Sequence, residues 1–91
     1  MDKCLLITLS GTFPSVFIHD FIQKHANKLR IEGMVKVFDG SVKITACGNK
    51  EAVDSFVDLL HKGHAKIIPD YVEIEPFLRD KDYRGVFRVI E

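Results

Sequence analysis

Gly33-Met34-Val35-Lys36-Val37-Phe38-Asp39-Gly40-Ser41-Val42-Lys43-Ile44-Thr45-Ala46-Cys47 reads as two strands folded back on each other around Asp39-Gly40. Asp-Gly favours a two-residue type I′ turn, because both central positions need positive φ. Such a loop sets Phe38 opposite Ser41, Val37 opposite Val42, Lys36 opposite Lys43 and Val35 opposite Ile44. The register then gathers Val35, Val37, Val42 and Ile44 on one face, as a sheet buried on one side requires. Lys36 and Lys43 share the other face, where directly opposed like charges cost roughly 0.2–1 kcal/mol unless water or an acidic partner screens them.

Outward from the hairpin, each side carries one helix and then one strand. On the N-terminal side, Ile18, Phe21, Ile22, Ala26 and Leu29 recur at helical spacing, and Ser15 after Pro14 has the chemistry of an N-cap. This predicts a helix ending near Leu29 or Arg30, with His25 packed at the edge of its apolar stripe. Before it, Lys3 to Ser10 alternates with Leu5, Ile7 and Leu9 on one face, which predicts a strand. Between strand and helix, Leu9 to Phe21 passes through Gly11 and Pro14. A loop there can hold an anion, because the first N–H groups of a helix lack intrahelical partners and the helix dipole makes that end positive.

On the C-terminal side, Asn49 caps a second helix with Glu51 in its first turn, and Val53, Phe56, Val57 and Leu60 form its apolar stripe. Lys62 and Gly63 mark its stop. In the segment Lys66 to Pro76, Val72 and Ile74 alternate with Glu73 and Glu75, while Pro69 removes a ladder donor and moves the strand start to about Tyr71. Phe77 to Tyr83 reads as charged loop, and Val86 to Val89 as a short fifth strand.

The order strand, helix, strand, strand, helix, strand, with the short extra strand, predicts an α+β ferredoxin-like sandwich (βαββαβ). Its antiparallel sheet carries both helices on one face, and right-handed crossovers interleave the two halves. The other face is open to solvent or to a protein partner. In this topology Cys4 and Cys47 fall at the same end of neighbouring strands. They are expected as two small thiols rather than a disulfide, given a cytoplasmic setting.

Composition sets the outer limits. Ninety-one residues fit one domain, 1–91, and a 46% hydrophobic fraction is too high for a disordered chain. Thirteen basic residues balance thirteen acidic ones, so no net field draws in nucleic acid or an anionic membrane. No apolar run is long enough to cross a bilayer, and the first residues lack the layout of a signal peptide. Two cysteines form no metal spacing, and His61 and His64 lack a third ligand nearby in sequence, so neither a metal nor a cofactor is expected. RNA-recognition modules share the topology, but their third strand displays stacking aromatics; Ser41 to Cys47 has none.

The spacing of these pieces together resembles the acylphosphatase family, small hydrolases of this fold that cleave carboxyl-phosphate anhydrides. The similarity runs through Ser10-Gly11, Val16, Gly33-x-Val35, Asp39-Gly40-Ser41-Val42, Ala46-x-Gly48, Phe56-x-x-x-Leu60-x-x-Gly63 and Val72-x-Ile74. The family loop reads Gly-x-Val-Gln-Gly-Val-x-Phe-Arg, whose backbone N–H groups and terminal Arg hold the phosphoryl group. Laid on this chain from Gly11, it places the anion-binding candidates at Gly11, Thr12, Ser15, Val16, Phe17 and His19, with His19 where the family has Arg. The family Asn that orients the attacking water, in Gly-x-Val-Arg-Asn-x-x-Asp-Gly, falls on Val37 counted from Gly33 or on Lys36 counted from Asp39, because the hairpin is one residue shorter. His19 cannot grip two phosphate oxygens as a guanidinium does, Val37 has no polar atom, and an ammonium has no acceptor with which to orient water. The resemblance thus implies a fold kept, a phosphate or acyl-phosphate ligand at the loop, and a catalytic pair lost. An active acylphosphatase using His19 is the alternative, and a ligand- or protein-binding regulatory domain of this topology is a third reading.

Overall fold

The computed structural model describes residues 2–76 and 85–90. The expected charged loop at 77–83 lies outside them. Its elements are β1 (Asp2–Ser10), a π-helical segment (Phe17–Gln23) running directly into α1 (Lys24–Lys28), β2 (Glu32–Phe38), β3 (Ser41–Asn49), α2 (Lys50–Lys62), β4 (Tyr71–Pro76) and β5 (Phe87–Ile90). The strands form one sheet in the order β4-β1-β3-β2-β5. Each crossover, β1 to β2 and β3 to β4, steps over one strand, and both helices pack on the same face.

The hairpin has the register its turn dictates: Phe38 pairs with Ser41, Val37 with Val42, Lys36 with Lys43 and Val35 with Ile44. Leu5, Ile7 and Leu9 of β1 oppose Ala46, Ile44 and Val42 of β3, so the apolar positions of the central strands face the helices together. Onto them pack Phe17, Ile18, Phe21, Ile22 and Ala26 from the first helix and Val53, Phe56 and Leu60 from α2, all buried. At Gly33 the backbone of β3 leaves no room for a side chain. The Gly33 φ is 144°, and a Cβ there would overlap the Thr45 carbonyl.

Three expectations are corrected. The sheet is mixed rather than antiparallel: β5 pairs with β2 in parallel, and it spans Phe87–Ile90 instead of Val86 to Val89. Both strands run the same way because β5 returns on the edge opposite β4, where Phe87 and Val89 extend the buried face beside Gly33 and Val35. Ser15 does not cap the first helix. The N–H groups it would satisfy, those of Phe17 and Ile18, both donate to the Pro14 carbonyl, at 2.9 and 3.4 Å, so the first turn already includes Ser15. Leu29, half-buried, packs against the core as its place on the apolar stripe implies. Finally, Cys4 and Cys47 are not thiols. They lie directly opposite in the β1–β3 register, with Cα atoms 4.1 Å apart, and are joined in a disulfide that a reducing compartment would keep open.

The first helix also ends in a way its sequence hides. Arg30 takes φ 58°, and the Ile31 N–H donates to the Ala26 carbonyl at 2.8 Å. This is the left-handed stop usually built on glycine. At α2 the signals hold as read. Asn49 accepts from the Glu51 N–H at 2.9 Å, and Gly63 ends the helix with φ 71°.

Candidate functional site: the entry of the first helix

The loop between β1 and the first helix is pinned at both ends. Gly11, at φ 136°, donates its N–H to the Gly40 carbonyl at 3.0 Å and so ties the loop to the hairpin turn. At the other end the Pro14 carbonyl takes the Phe17 N–H. Phe13 stacks on Phe17 with ring centroids 4.8 Å apart, and Phe17 meets Phe21 at 5.1 Å. Aromatic packing thus fixes the angle at which the helix leaves the strand.

Of the loop candidates, Gly11 and Phe17 have already committed their N–H groups. Phe17 also belongs to the core, fully buried, a role its place in the loop alignment concealed. Thr12 and Ser15 and Val16 have no main-chain acceptor among the described residues, and neither does Phe13. These four donors flank Pro14, which has none, and the helix dipole adds positive character at their end. A carboxylate stands close by: Asp70, whose N–H donates to the Ser10 carbonyl at 3.0 Å, has an oxygen 3.6 Å from where a Gly11 Cβ would sit.

His19 is exposed on the outer surface of the helix. Among the described residues its Nδ1 lies 3.4 Å from Gln23 Oε1, one turn further from the loop, and Gln23 Nε2 in turn donates to the Phe87 carbonyl. Val37 is half-buried, packs against the core and is paired with Val42, itself opposite Leu9, so it sits on the helix side of the sheet at the loop end. Lys36 is exposed on the opposite face of the sheet. The two positions that sequence spacing leaves open for one water-orienting residue therefore lie on different faces.

The remaining histidines are held locally. His25 Nδ1 donates to the Phe21 carbonyl at 2.8 Å while its ring meets Phe21 edge-on. His61 Nδ1 donates to the Val57 carbonyl at 3.0 Å. His64 stacks on Phe21 instead, with ring centroids 5.1 Å apart, so the two histidines turn to different partners. Among the described residues no three metal-ligating side chains cluster, and no helix is long and apolar enough to cross a membrane. The turn that positions His64 was not foreseen: it exchanges both backbone hydrogen bonds with Ile67 around Ala65 and Lys66, at φ 50° and 70°. Neither residue carries the Gly or Asn signal such a turn normally needs.

Comparison with known proteins agrees with this geometry over most of the chain. The sequence profile of the family described as Acylphosphatase matches residues 6–88. An acylphosphatase from Caldivirga maquilingensis is 31% identical over 81 residues, covering 87% of this chain and 85% of the relative. One from Actinobacillus succinogenes is 35% identical over 79 residues, covering 86% and 81%. The solved structure of an acylphosphatase from Coxiella burnetii superposes with a TM-score of 0.85 at 29% identity, over 98% of this chain and 93% of that one. With the family profile matching residues 6–88, relatives above 30% identity along most of the chain and a shared overall fold, the chain belongs to the acylphosphatase family.

Proposed function

We infer that this domain keeps an anion site at the entry of its first helix but has lost hydrolysis of carboxyl-phosphate anhydrides, and serves as a binding or structural module for a phosphate or acyl-phosphate group. The observation that carries this reading is what stands at the two positions the family chemistry depends on. His19 points along the helix to Gln23, and Val37 offers only carbon where a water would have to be oriented. Four N–H groups around Pro14 have no main-chain acceptor among the described residues, which supports an anion there. Losing one preorganised donor commonly costs a factor of about 10²–10³ in rate, and losing water positioning costs more.

A second reading, an active acylphosphatase with His19 as the phosphate clamp, is favoured by the names of relatives at 31% and 35% identity. It requires an imidazolium, so its activity would rise as pH falls. Hydrolysis of a simple acyl phosphate separates the two. The inferred module turns over no faster than a buffer blank, and His19→Arg with Val37→Asn together raises the rate at least about 100-fold. Robust wild-type turnover that climbs toward low pH would overturn the inference in favour of the active enzyme.

A further inference from the structure

The face of the sheet turned away from the helices has an organised charge pattern. Its rows can be read from the strand register. One row runs Tyr71, Ser10, Ser41, Phe38 across β4, β1, β3 and β2; the next runs Glu73, Thr8, Lys43, Lys36; a third runs Glu75, Leu6, Thr45, Met34 and ends on Arg88 of β5. Within these three rows acidic residues occupy the β4 edge and basic ones the β3-β2-β5 side; Glu32, one row further along β2, departs from this division and accepts from the Gly85 N–H. An exposed aromatic stands at each end of the first row, Tyr71 at 69% and Phe38 at 50%. Lys36, Glu73, Glu75 and Arg88 are exposed and form no ion pair with a described residue. Among the described residues Lys43 meets the Phe38 ring, 5.9 Å from its Nζ.

We propose that this open face is the interface of a two-fold dimer of the chain, with the axis parallel to the strands between β1 and β3. That operation lays β4 of one protomer over β2 of the other without shifting the rows. Tyr71 of each chain then covers Phe38 of its partner, Glu73 meets Lys36, Thr8 meets Lys43, and Glu75 lies over Met34 beside Arg88. Each contact occurs twice, as a self-complementary interface requires. The Glu73 carboxylates supply the counter-charge that the opposed Lys36–Lys43 pair lacks within one chain. A polyanion is the poorer fit, because Glu73 and Glu75 share the face with the lysines.

The area sets the strength. Four strands about 4.8 Å apart and rows about 6.8 Å apart give a footprint of roughly 400 Å², half the ~800 Å² per partner of a standard interface. Association is therefore weak and is read at hundreds of micromolar protein. Sedimentation equilibrium over rising concentration should show the weight-average mass climbing from monomer toward dimer. Lys36→Glu and Glu73→Lys should each stay monomeric over the same range, since each sets like charges across the axis, with circular dichroism confirming that both fold. An equimolar mixture of the two variants, and the chain carrying both changes, should associate again. A wild type that stays monomeric throughout, single variants that associate as wild type does, or a mixture that fails to recover would each overturn the proposal. Binding of an oligonucleotide or an acidic peptide by a monomeric wild type would assign the face to a different partner.

Discussion

The chain passes twice from strand to helix, at β3 to α2 and at β1 to the first helix, and treats the exposed N–H groups in opposite ways. At Asn49 the turn is immediate. A side-chain oxygen takes the Glu51 N–H, and Glu51 itself adds negative charge to the first turn. At Gly11 to Val16 the chain spends six residues on the same change of direction, and no side chain among the described residues caps the entry. The first junction is complete in itself. The second leaves the N–H groups of Thr12, Phe13, Ser15 and Val16 without a main-chain acceptor among the described residues, and aromatic stacking of Phe13, Phe17 and Phe21 does the holding that a cap does elsewhere.

The sharpest way to break this contrast is to remove the packing. Phe17→Ala should cost about 3–5 kcal/mol in denaturant unfolding, because a fully buried ring at the centre of the stack leaves a cavity. A cost near 1 kcal/mol would mean that the loop is held by something else.

Capping gives the next test. Asn49→Ala should cost about 1 kcal/mol, whereas Ser15→Ala should stay within about 0.5 kcal/mol, since the N–H groups it would serve already reach Pro14. Equal costs at the two positions would erase the distinction.

The smallest expected effect lies in the first turns of α2. Hydrogen bonds from Lys3, at 2.8 Å, and then from Lys50, at 3.2 Å, hold the Asp54 carboxyl below its ordinary pKa. A carboxyl depressed in the folded state contributes stability above its unfolded value of about 3.9, and that contribution is lost as pH falls through the lower folded value. Asp54→Asn should therefore lower stability slightly at neutral pH, flatten the acid limb below pH ~4 and match wild type once the carboxyl is protonated, with the neutral-pH difference shrinking in salt. An acid limb unchanged by the substitution would show that the two lysines do not act on this carboxyl in solution.

How far each region could be read from sequence follows from the same contrast. The hairpin and α2 rest on local signals that agree: a period of two, an Asp-Gly turn, an Asn cap and a Gly stop. The hairpin register and the ends of α2 were legible to the residue, whereas β2 begins at Glu32 and β3 runs on to Asn49, both beyond the stretch that alternation marked. The first helix is widened into π turns from Phe17 to Gln23, which its apolar spacing did not show, and its stop is an arginine in the left-handed region where glycine is the usual sign. Phe17 was assigned to the loop by alignment although its ring belongs to the core. The disulfide was half legible: topology placed Cys4 beside Cys47, but composition and compartment spoke for thiols. At the candidate site, spacing alone could not choose between Lys36 and Val37. The strand faces separate them, because adjacent strand residues point to opposite sides of a sheet.

The central claim is that the uncapped entry of the first helix receives an anion. Titration of isotope-labelled wild-type protein with inorganic phosphate, followed at its backbone amide resonances, tests it most directly. Thr12, Phe13, Ser15 and Val16 should shift together along one saturating curve, while Gly11 and Glu51, whose N–H groups are already taken, stay nearly still. Resonances at 12–16 that remain unmoved as phosphate rises, or that move no more than Glu51, would contradict it.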